Sequence, residues 1–170
     1  MDVRPVALND GERDFVTDLK SFYERERAFF EGKELYLLRN LSRGRGIGFF
    51  EAANFYPDFI LWLLIGGKQY VSFVDPKGIR NLDGPDDPKI SFYQTVKTLE
   101  KRLADPQVIL NSFIIANTRF EQVDHWLTPG VGTKMSKADF EARHVLFQNE
   151  DKATYIGKIL RAVAKDSAKA

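Results

Sequence analysis

Two short motifs carry the residues best suited to chemistry, Tyr56-Pro57-Asp58 and Asp75-Pro76-Lys77. They flank two apolar runs, residues 58–64 and 70–74, which are separated by Gly66-Gly67. Apolar runs around a Gly-Gly pair are typical of an antiparallel hairpin. If the glycines form a two-residue turn, Asp58 lies opposite Asp75, whereas a longer loop moves its partner only to Pro76 or Lys77. We therefore expect two carboxylates and an ammonium group at one end of the hairpin.

This grouping needs a compensating charge. Like charges that face each other in a sheet are unfavourable, and an apolar surround adds a desolvation cost. Mg²⁺ supplies the compensation, since it takes one or two carboxylates together with phosphate and water oxygens. Lys77 lies on the same face as Asp75, where it can orient or deprotonate a water or stabilise a developing charge. These are the parts needed for metal-assisted phosphodiester hydrolysis, although the same residues could form a salt-bridge cluster at a strand end.

The composition excludes several other classes of protein. The chain has 170 residues with 44% hydrophobic and 13% aromatic residues, which is enough for one folded domain over residues 1–170. It has no Cys and two His, which excludes disulfide scaffolds, thiolate nucleophiles and multi-histidine metal sites. No apolar run approaches a membrane span of about 18 residues, and the N-terminus lacks the apolar core of a secretory signal. We expect a soluble, cytoplasmic domain.

The net charge conceals an uneven distribution. The 25 basic and 24 acidic residues nearly cancel, which alone disfavours binding to nucleic acid. However, residues 34–48 carry Arg39, Arg43 and Arg45 against a single acid, and three glycines there predict a flexible loop. These arginines are candidate phosphate contacts, and the alternative is a solvated basic turn.

Periodicity predicts an α/β domain with a mixed sheet, in the order α-β-β-β-α-β followed by C-terminal helices. The basic C-terminal helix has an apolar stripe, which favours packing on the core over reading DNA. The predicted helices are residues 9–30, 90–103, 120–127, 136–147 and 152–165, and the predicted extended segments are 35–38, 48–50, 58–64, 70–74 and 108–116.

The motifs resemble a known family. Pro57-Asp58 followed by Asp75-x-Lys77 resembles the PD-(D/E)XK nuclease superfamily. The sequence around these motifs is similar to the C-terminal nuclease domain of type III restriction-type helicase subunits and related DEAD/DEAH-box defence proteins. The similar segments are Leu35-Tyr-Leu-Leu, Tyr56-Pro-Asp-Phe-Ile-Leu-Trp62 and Phe73-Val-Asp-Pro-Lys-Gly78. The resemblance covers about residues 10–117 and leaves a C-terminal helical extension over about 118–170.

The resemblance implies a restriction-endonuclease-like fold and a Mg²⁺-dependent DNA endonuclease, with Mn²⁺ as a substitute metal. Asp58, Asp75 and the carbonyl of Pro76 would bind the metal, and Lys77 would be the catalytic lysine. The superfamily often adds an acid on the first helix, for which Glu12 is the chosen candidate and Glu24 and Glu26 are competitors.

Some relatives also carry a Gln on the helix after the lysine, followed four residues later by Tyr. Here Gln94 is followed by Thr98, so half of that pattern is present and Gln94 is a candidate nucleic-acid contact. The family also implies a helicase or translocase ATPase, in the same full-length protein or in a complex. Two other functions remain open: a catalytically silent module that binds nucleic acid or docks a helicase, and a nuclease directed at RNA or tRNA.

Overall fold

The computed structural model describes residues 7–41, 46–49, 52–152 and 154–165. Its described part is an α/β domain in which helices flank one mixed sheet, as predicted. None of its helices is both long and apolar enough to cross a membrane. The elements in chain order are α1 (Asp10–Arg25), β1 (Lys33–Arg39), β2 (Phe59–Ile65), β3 (Lys68–Lys77), α2 (Pro88–Leu103), β4 (Val108–Ala116), α3 (Lys137–Ala142), β5 (Val145–Phe147) and α4 (Tyr155–Lys165).

The antiparallel half of the sheet follows the predicted hairpin. Gly66 and Gly67 have φ angles of 55° and 82°, the left-handed conformations that a two-residue turn of this kind requires. Ile65 pairs with Lys68 and Phe59 with Val74, so the predicted register is confirmed. On its other side β2 pairs with β1, also antiparallel. The strand order is β1-β2-β3-β4-β5.

The parallel half is built around α2. Asp87 caps this helix by accepting a hydrogen bond from the Lys89 amide, and Pro88 occupies its first turn. The helix returns the chain so that β4 runs parallel to β3, with Lys77 beside Ala116. Because β3 and β4 are parallel, the segments that follow them lie at the same edge of the sheet.

The first helix is shorter than predicted. Asn9 caps α1, and Phe15, Leu19 and Phe22 form its buried face. The helix ends at Arg25, and a separate 3-10 turn, Arg27–Phe30, carries the remaining aromatic residues.

The helices predicted in the C-terminal extension are partly wrong. A helix was expected over residues 136–147, but α3 ends at Ala142 and residues 145–147 form β5, which pairs parallel with Ile114–Ala116. His144, with a φ of 59°, breaks the helix, and the three apolar residues after it are buried in the sheet. The helix predicted over 120–127 is only the 3-10 turn Phe120–Gln122. The last prediction is confirmed in α4, which begins at Tyr155.

Each face of the sheet has its own core, and the strand side chains alternate between the two. Val71 and Phe73 face the core under α2 and α3, whereas Tyr70 and Val74 face the core under α1 and α4. The apolar stripe of α4 is buried, as its pattern predicted, and its members are Tyr155, Ile156, Ile159, Leu160 and Val163.

Candidate functional site

The hairpin register brings Asp58 and Asp75 together. Asp58 directly precedes β2, and the register of Phe59 with Val74 continues to place it opposite Asp75. The amide of Asn40 donates to the Asp58 carbonyl at 2.8 Å, which extends the β1–β2 ladder by one further bond. The backbone of Asp58 is thus bonded to the residue after β1, and the β2–β3 register places it beside Asp75.

Asp75 and Lys77 form a close ion pair. Lys77 Nζ lies 2.6 Å from Asp75 Oδ2, and the two side chains are 24% and 4% exposed. The same ammonium lies 5.5 Å from the centre of the Phe55 ring, which is a cation–π contact. Because Asp75 is nearly sealed from water and directly paired, Lys77 balances its negative charge.

Among the described residues, Asp58 has no such counterion. Burial raises its pKa to about 8, and the charge of Asp75, hydrogen bonding to Asp75 and the charge of Glu12 act in the same direction. Lys77 lowers the pKa only in part, since its ammonium is paired with Asp75. Near neutral pH the pair therefore holds a proton that a cation could replace.

Glu12 is the acid that the structure places beside this pair. It lies in the first turn of α1, is 6% exposed, and takes part in a capping box with Asn9. Its Oε2 accepts from Arg39 Nη2 at 2.9 Å, so this buried carboxylate is also paired. Its charge raises the pKa of Asp58. The competing acids pair at the surface instead, Glu24 with Lys20 and Glu26 with Arg25.

An open cavity of about 530 Å³ gives access to Asp58, Asp75 and Lys77. It lies at the edge where β3 and β4 end, and the N-terminus of α1 forms another wall. We call this the cleft. Its described lining residues are Asn9, Asp10, Gly11, Tyr56, Asp58, Asp75, Pro76, Lys77, Gly78 and Asn117.

Tyr56 and Asn117 are among the cleft residues to which sequence reasoning assigned no role. Asn117 directly follows β4, whose last residue pairs with Lys77, so the parallel register was the signal that could have found it. Its amide donates to the Lys77 carbonyl at 3.1 Å. Tyr56 lies in the Tyr56-Pro57-Asp58 motif, but its contact with Gly48 joins two separate segments and has no local signature.

Asn40 is a further residue that the sequence did not single out. Its side-chain Nδ2 donates to the carbonyls of Pro57 and Ile47, both at 2.8 Å, and its Oδ1 accepts from the Ile47 amide at 2.9 Å. Asn40 therefore joins the end of the loop after β1 to the residue before Asp58, which fixes the backbone from which Asp58 projects.

The predicted nucleic-acid contacts have separate outcomes. The Arg39 guanidinium is engaged with Glu12 and, at 3.3 Å, with the carbonyl of Ala7. Arg43 and Arg45 lie outside the described residues. Gln94 is exposed on α2, where its amide donates to the Tyr93 hydroxyl, and the described lining of the cleft does not include it.

The donor set fits a metal held by two carboxylates. In the described ranges no three His, Cys, Asp or Glu side chains are grouped closely enough to hold a metal ion, so Glu12 does not complete a three-acid site. Asp58, Asp75 and the Pro76 carbonyl remain, all at the cleft. Mg²⁺ is commonly bound through one or two carboxylates, with substrate and water filling its other positions.

Comparisons of the chain with protein-family models, with curated proteins and with solved structures give no significant match. The function of the cleft is therefore inferred from its side chains and their geometry.

Proposed function

We propose that this domain is a metal-dependent nuclease of the PD-(D/E)XK type, with a restriction-endonuclease-like fold, which hydrolyses phosphodiester bonds of DNA. The observation that carries the proposal is the pairing of Asp58 with Asp75 at the mouth of an open cleft, with Lys77 on the same strand end. Two adjacent acids, one of which has a pKa raised to about 8, repel each other when both are ionised. A divalent cation that binds both carboxylates would offset this repulsion.

Each residue has a distinct part in the proposal. Asp58, Asp75 and the Pro76 carbonyl would hold Mg²⁺ or Mn²⁺, which when bound polarises the phosphate and lowers the pKa of a water. Lys77 lies 2.6 Å from Asp75, so its ammonium is positioned to orient the attacking water and to stabilise charge on the phosphate. Glu12 remains the candidate for supporting the metal or its waters, and its ion pair with Arg39 holds its side chain in place near Asp58.

Metal binding is the first test. We expect Mn²⁺, followed by electron paramagnetic resonance, to bind the wild-type domain and to lose its strongest site in the Asp58→Asn/Asp75→Asn double variant. Asp86→Asn is the matched control, since Asp86 is an exposed acid outside the cleft. Loss of binding in the control, or equal binding in all three proteins, contradicts the assignment of the metal ligands.

Cleavage is the second test. Single-stranded and duplex DNA and a matched RNA are incubated with the domain and Mg²⁺, and Asp75→Asn is expected to lose product formation on the preferred substrate. Preference for RNA would assign the same residues to an RNA-directed nuclease.

Two observations favour a second function, a catalytically silent module that binds nucleic acid or docks a helicase. The acids of the described cleft form no three-residue metal group, and Lys77 is already satisfied by Asp75. Metal binding without cleavage of any of the three substrates would select this function. A translocating ATPase, in the same protein or as a partner, is part of the proposal in either case.

A further inference from the structure

Tyr56 is an aromatic side chain in the wall of the cleft, two residues before Asp58. It is half-buried and lines the same cavity as Asp58, Asp75 and Lys77. Within the described part of the chain, its hydroxyl has no hydrogen-bond partner and its ring stacks on no other ring. The neighbouring Phe55, in contrast, is 1% exposed and packs on Phe92 in the core. Core packing therefore explains Phe55, whereas Tyr56 has no hydrogen-bond or ring partner among the described residues.

Gly48 supports one face of the Tyr56 ring. A Cβ atom placed on Gly48 would lie 2.2 Å from Cε1 of Tyr56, 2.6 Å from Cζ and 2.7 Å from Cδ1. The two atoms that flank Cε1 are almost as close as Cε1 itself. If the Cβ position lay in the ring plane, outside the edge, it would be farther from Cζ and Cδ1 than it is. The Cβ position of Gly48 therefore lies over the face of the Tyr56 ring, above Cε1. Any larger residue at position 48 would displace the ring.

The support under Tyr56 is itself fixed. The Phe49 amide donates to the Phe55 carbonyl at 2.8 Å, which joins the residues adjacent to Gly48 and Tyr56. Pro57, on the other side of Tyr56, is tied to Asn40. The ring is thus held between two anchored neighbours, with one face on backbone, so the opposite face is the one that a ligand in the cleft can cover.

A nucleobase is the ligand that fits a fixed aromatic face beside a phosphodiester site. Stacking of a base on an aromatic side chain contributes substantially to the binding of single strands and tolerates every base. A base inside an intact duplex already has both faces stacked on its neighbours, so it must leave the stack before an aromatic side chain can cover it.

The charges of the cleft agree with this mode of binding. Of the described residues that line it, Lys77 alone is basic, and it is paired with Asp75. Arg39, on the adjoining strand, is paired with Glu12. Recognition of a duplex relies mainly on cations that neutralise phosphates, whereas single-strand binding adds stacking to the charge term.

We propose that Tyr56 is a stacking platform for a nucleobase next to the scissile phosphodiester, and that the substrate strand is unpaired at that nucleotide. This inference rests on the proposed nuclease function and narrows its substrate to single-stranded, frayed or mismatched nucleic acid.

The test couples a protein change to a substrate change. The cleavage position is first mapped on a single-stranded oligonucleotide with wild-type protein and Mg²⁺. The oligonucleotide is then made with an abasic nucleotide on either side of that bond. We expect Tyr56→Ala to lower kcat/KM by roughly 5- to 150-fold on the intact strand, the range of one stacked base. Tyr56→Phe should retain activity, and on one abasic strand wild type and Tyr56→Ala should become equal.

Tyr36→Ala is the matched control, because Tyr36 is a 55% exposed tyrosine in the middle of β1 that lines the cavity at the Gly66-Gly67 turn and not the cleft. Its kcat/KM should equal that of wild type on every strand. Fully paired duplex should be cleaved more slowly by wild type than the same duplex with a mismatch at the mapped position. If Tyr56→Ala lowers kcat/KM by the same factor on intact and abasic strands, the platform is overturned. It is also overturned if wild type cleaves the fully paired duplex faster than the mismatched one.

A binding measurement separates this inference from the nuclease proposal. If wild type cleaves nothing, the nuclease function fails, and the platform is then tested with a single strand that contains 2-aminopurine. Stacking on Tyr56 should quench its fluorescence with wild type and not with Tyr56→Ala. Absence of quenching by wild type, or equal quenching by both proteins, overturns the platform by itself.

Discussion

The two ends of the β2–β3 hairpin each open onto a cavity, and the larger one is not at the predicted site. The cavity at the Gly66-Gly67 turn measures about 660 Å³, against about 530 Å³ for the cleft. It too is lined by charged and aromatic side chains, among them Glu34, Tyr36, Trp62 and Lys68. Volume and residue type alone would therefore favour the turn end.

The two ends differ in how their polar groups are satisfied. At the turn end, the Tyr36 hydroxyl donates to Glu34 at 2.5 Å and Trp62 Nε1 donates to Gln69 at 3.2 Å. At the cleft, two acids lie against each other, the one lysine pairs with Asp75, and burial raises the pKa of Asp58. An arrangement that costs native stability is typical of a ligand site, so charge conflict is a better guide here than cavity size.

Replacing the lysine at each end of β3 gives the largest expected contrast. Lys77→Ala should lower the cleavage rate by about 10²- to 10⁴-fold, since it removes the group proposed to orient water and stabilise the phosphate. Lys68→Ala, at the turn end of the same strand, should leave the rate unchanged. The measurement is single-turnover cleavage with Mg²⁺.

Lys77→Ala also bares the buried Asp75, so its folding must be checked. Lys77→Gln keeps most of the side chain and a hydrogen-bond donor without the charge, and thermal unfolding of both variants reports the folded fraction. A folded Lys77→Gln protein with wild-type activity would assign the ion pair to stability alone, and the two ends of the hairpin would then be equivalent.

The sequence was sufficient to predict the part of the cleft that depends on local pairing. Gly66-Gly67 indicated the turn, and the turn fixed the register that places Asp58 opposite Asp75. The apolar run of β4 likewise predicted the strand Val108–Ala116 at both ends. In these segments the side-chain period and the turn chemistry lead to the same answer.

Features that depend on distant contacts were missed. β5 has three residues, too few for a periodic pattern, and its partner Ile114–Ala116 lies about thirty residues earlier in the chain. The predicted start of this helix at residue 136 is confirmed, since Ser136 caps α3, but the left-handed His144 that ends the helical stretch carried no local signal. The ion pair of Arg39 with Glu12 and the contact of Gly48 with Tyr56 similarly join separate segments.

The cation at each end of β1 provides a smaller contrast, in stability. Arg39→Ala should lower the free energy of unfolding by about 2 kcal/mol, because Glu12 is buried and would lose its charged partner. Lys33→Ala removes only a bond to the Phe29 carbonyl and a cation–π contact, and should cost less than about 1 kcal/mol. Urea unfolding measures both. Adding Glu12→Gln to Arg39→Ala should recover part of the loss, and a loss that stays unchanged would contradict the role of the buried charge.

The smallest contrast is a pH-dependent gain in stability at the cleft. The pKa of Asp58 is about 8 in the folded protein against an ordinary value of 3.8, so the native state binds this proton more tightly than the unfolded chain does. As the pH rises above about 4 the unfolded chain loses the proton first, and native stability falls until the pH passes about 8. Asp58→Asn removes this fall. Its gain in melting temperature, measured with a chelator present, should be near zero at pH 4 and reach a few degrees at pH 9.

Glu34→Gln at the turn end is the control for this prediction. Its melting temperature should not rise above that of wild type by an amount that grows with pH, since Glu34 is exposed. Added Mg²⁺ should stabilise wild type at pH 8 by binding the native state alone, and should have little effect on Asp58→Asn. A gain in Asp58→Asn that is the same at pH 4 and pH 9 would mean that the carboxyl is not under charge conflict. The distinction between the two ends of the hairpin would then rest on Lys77 alone.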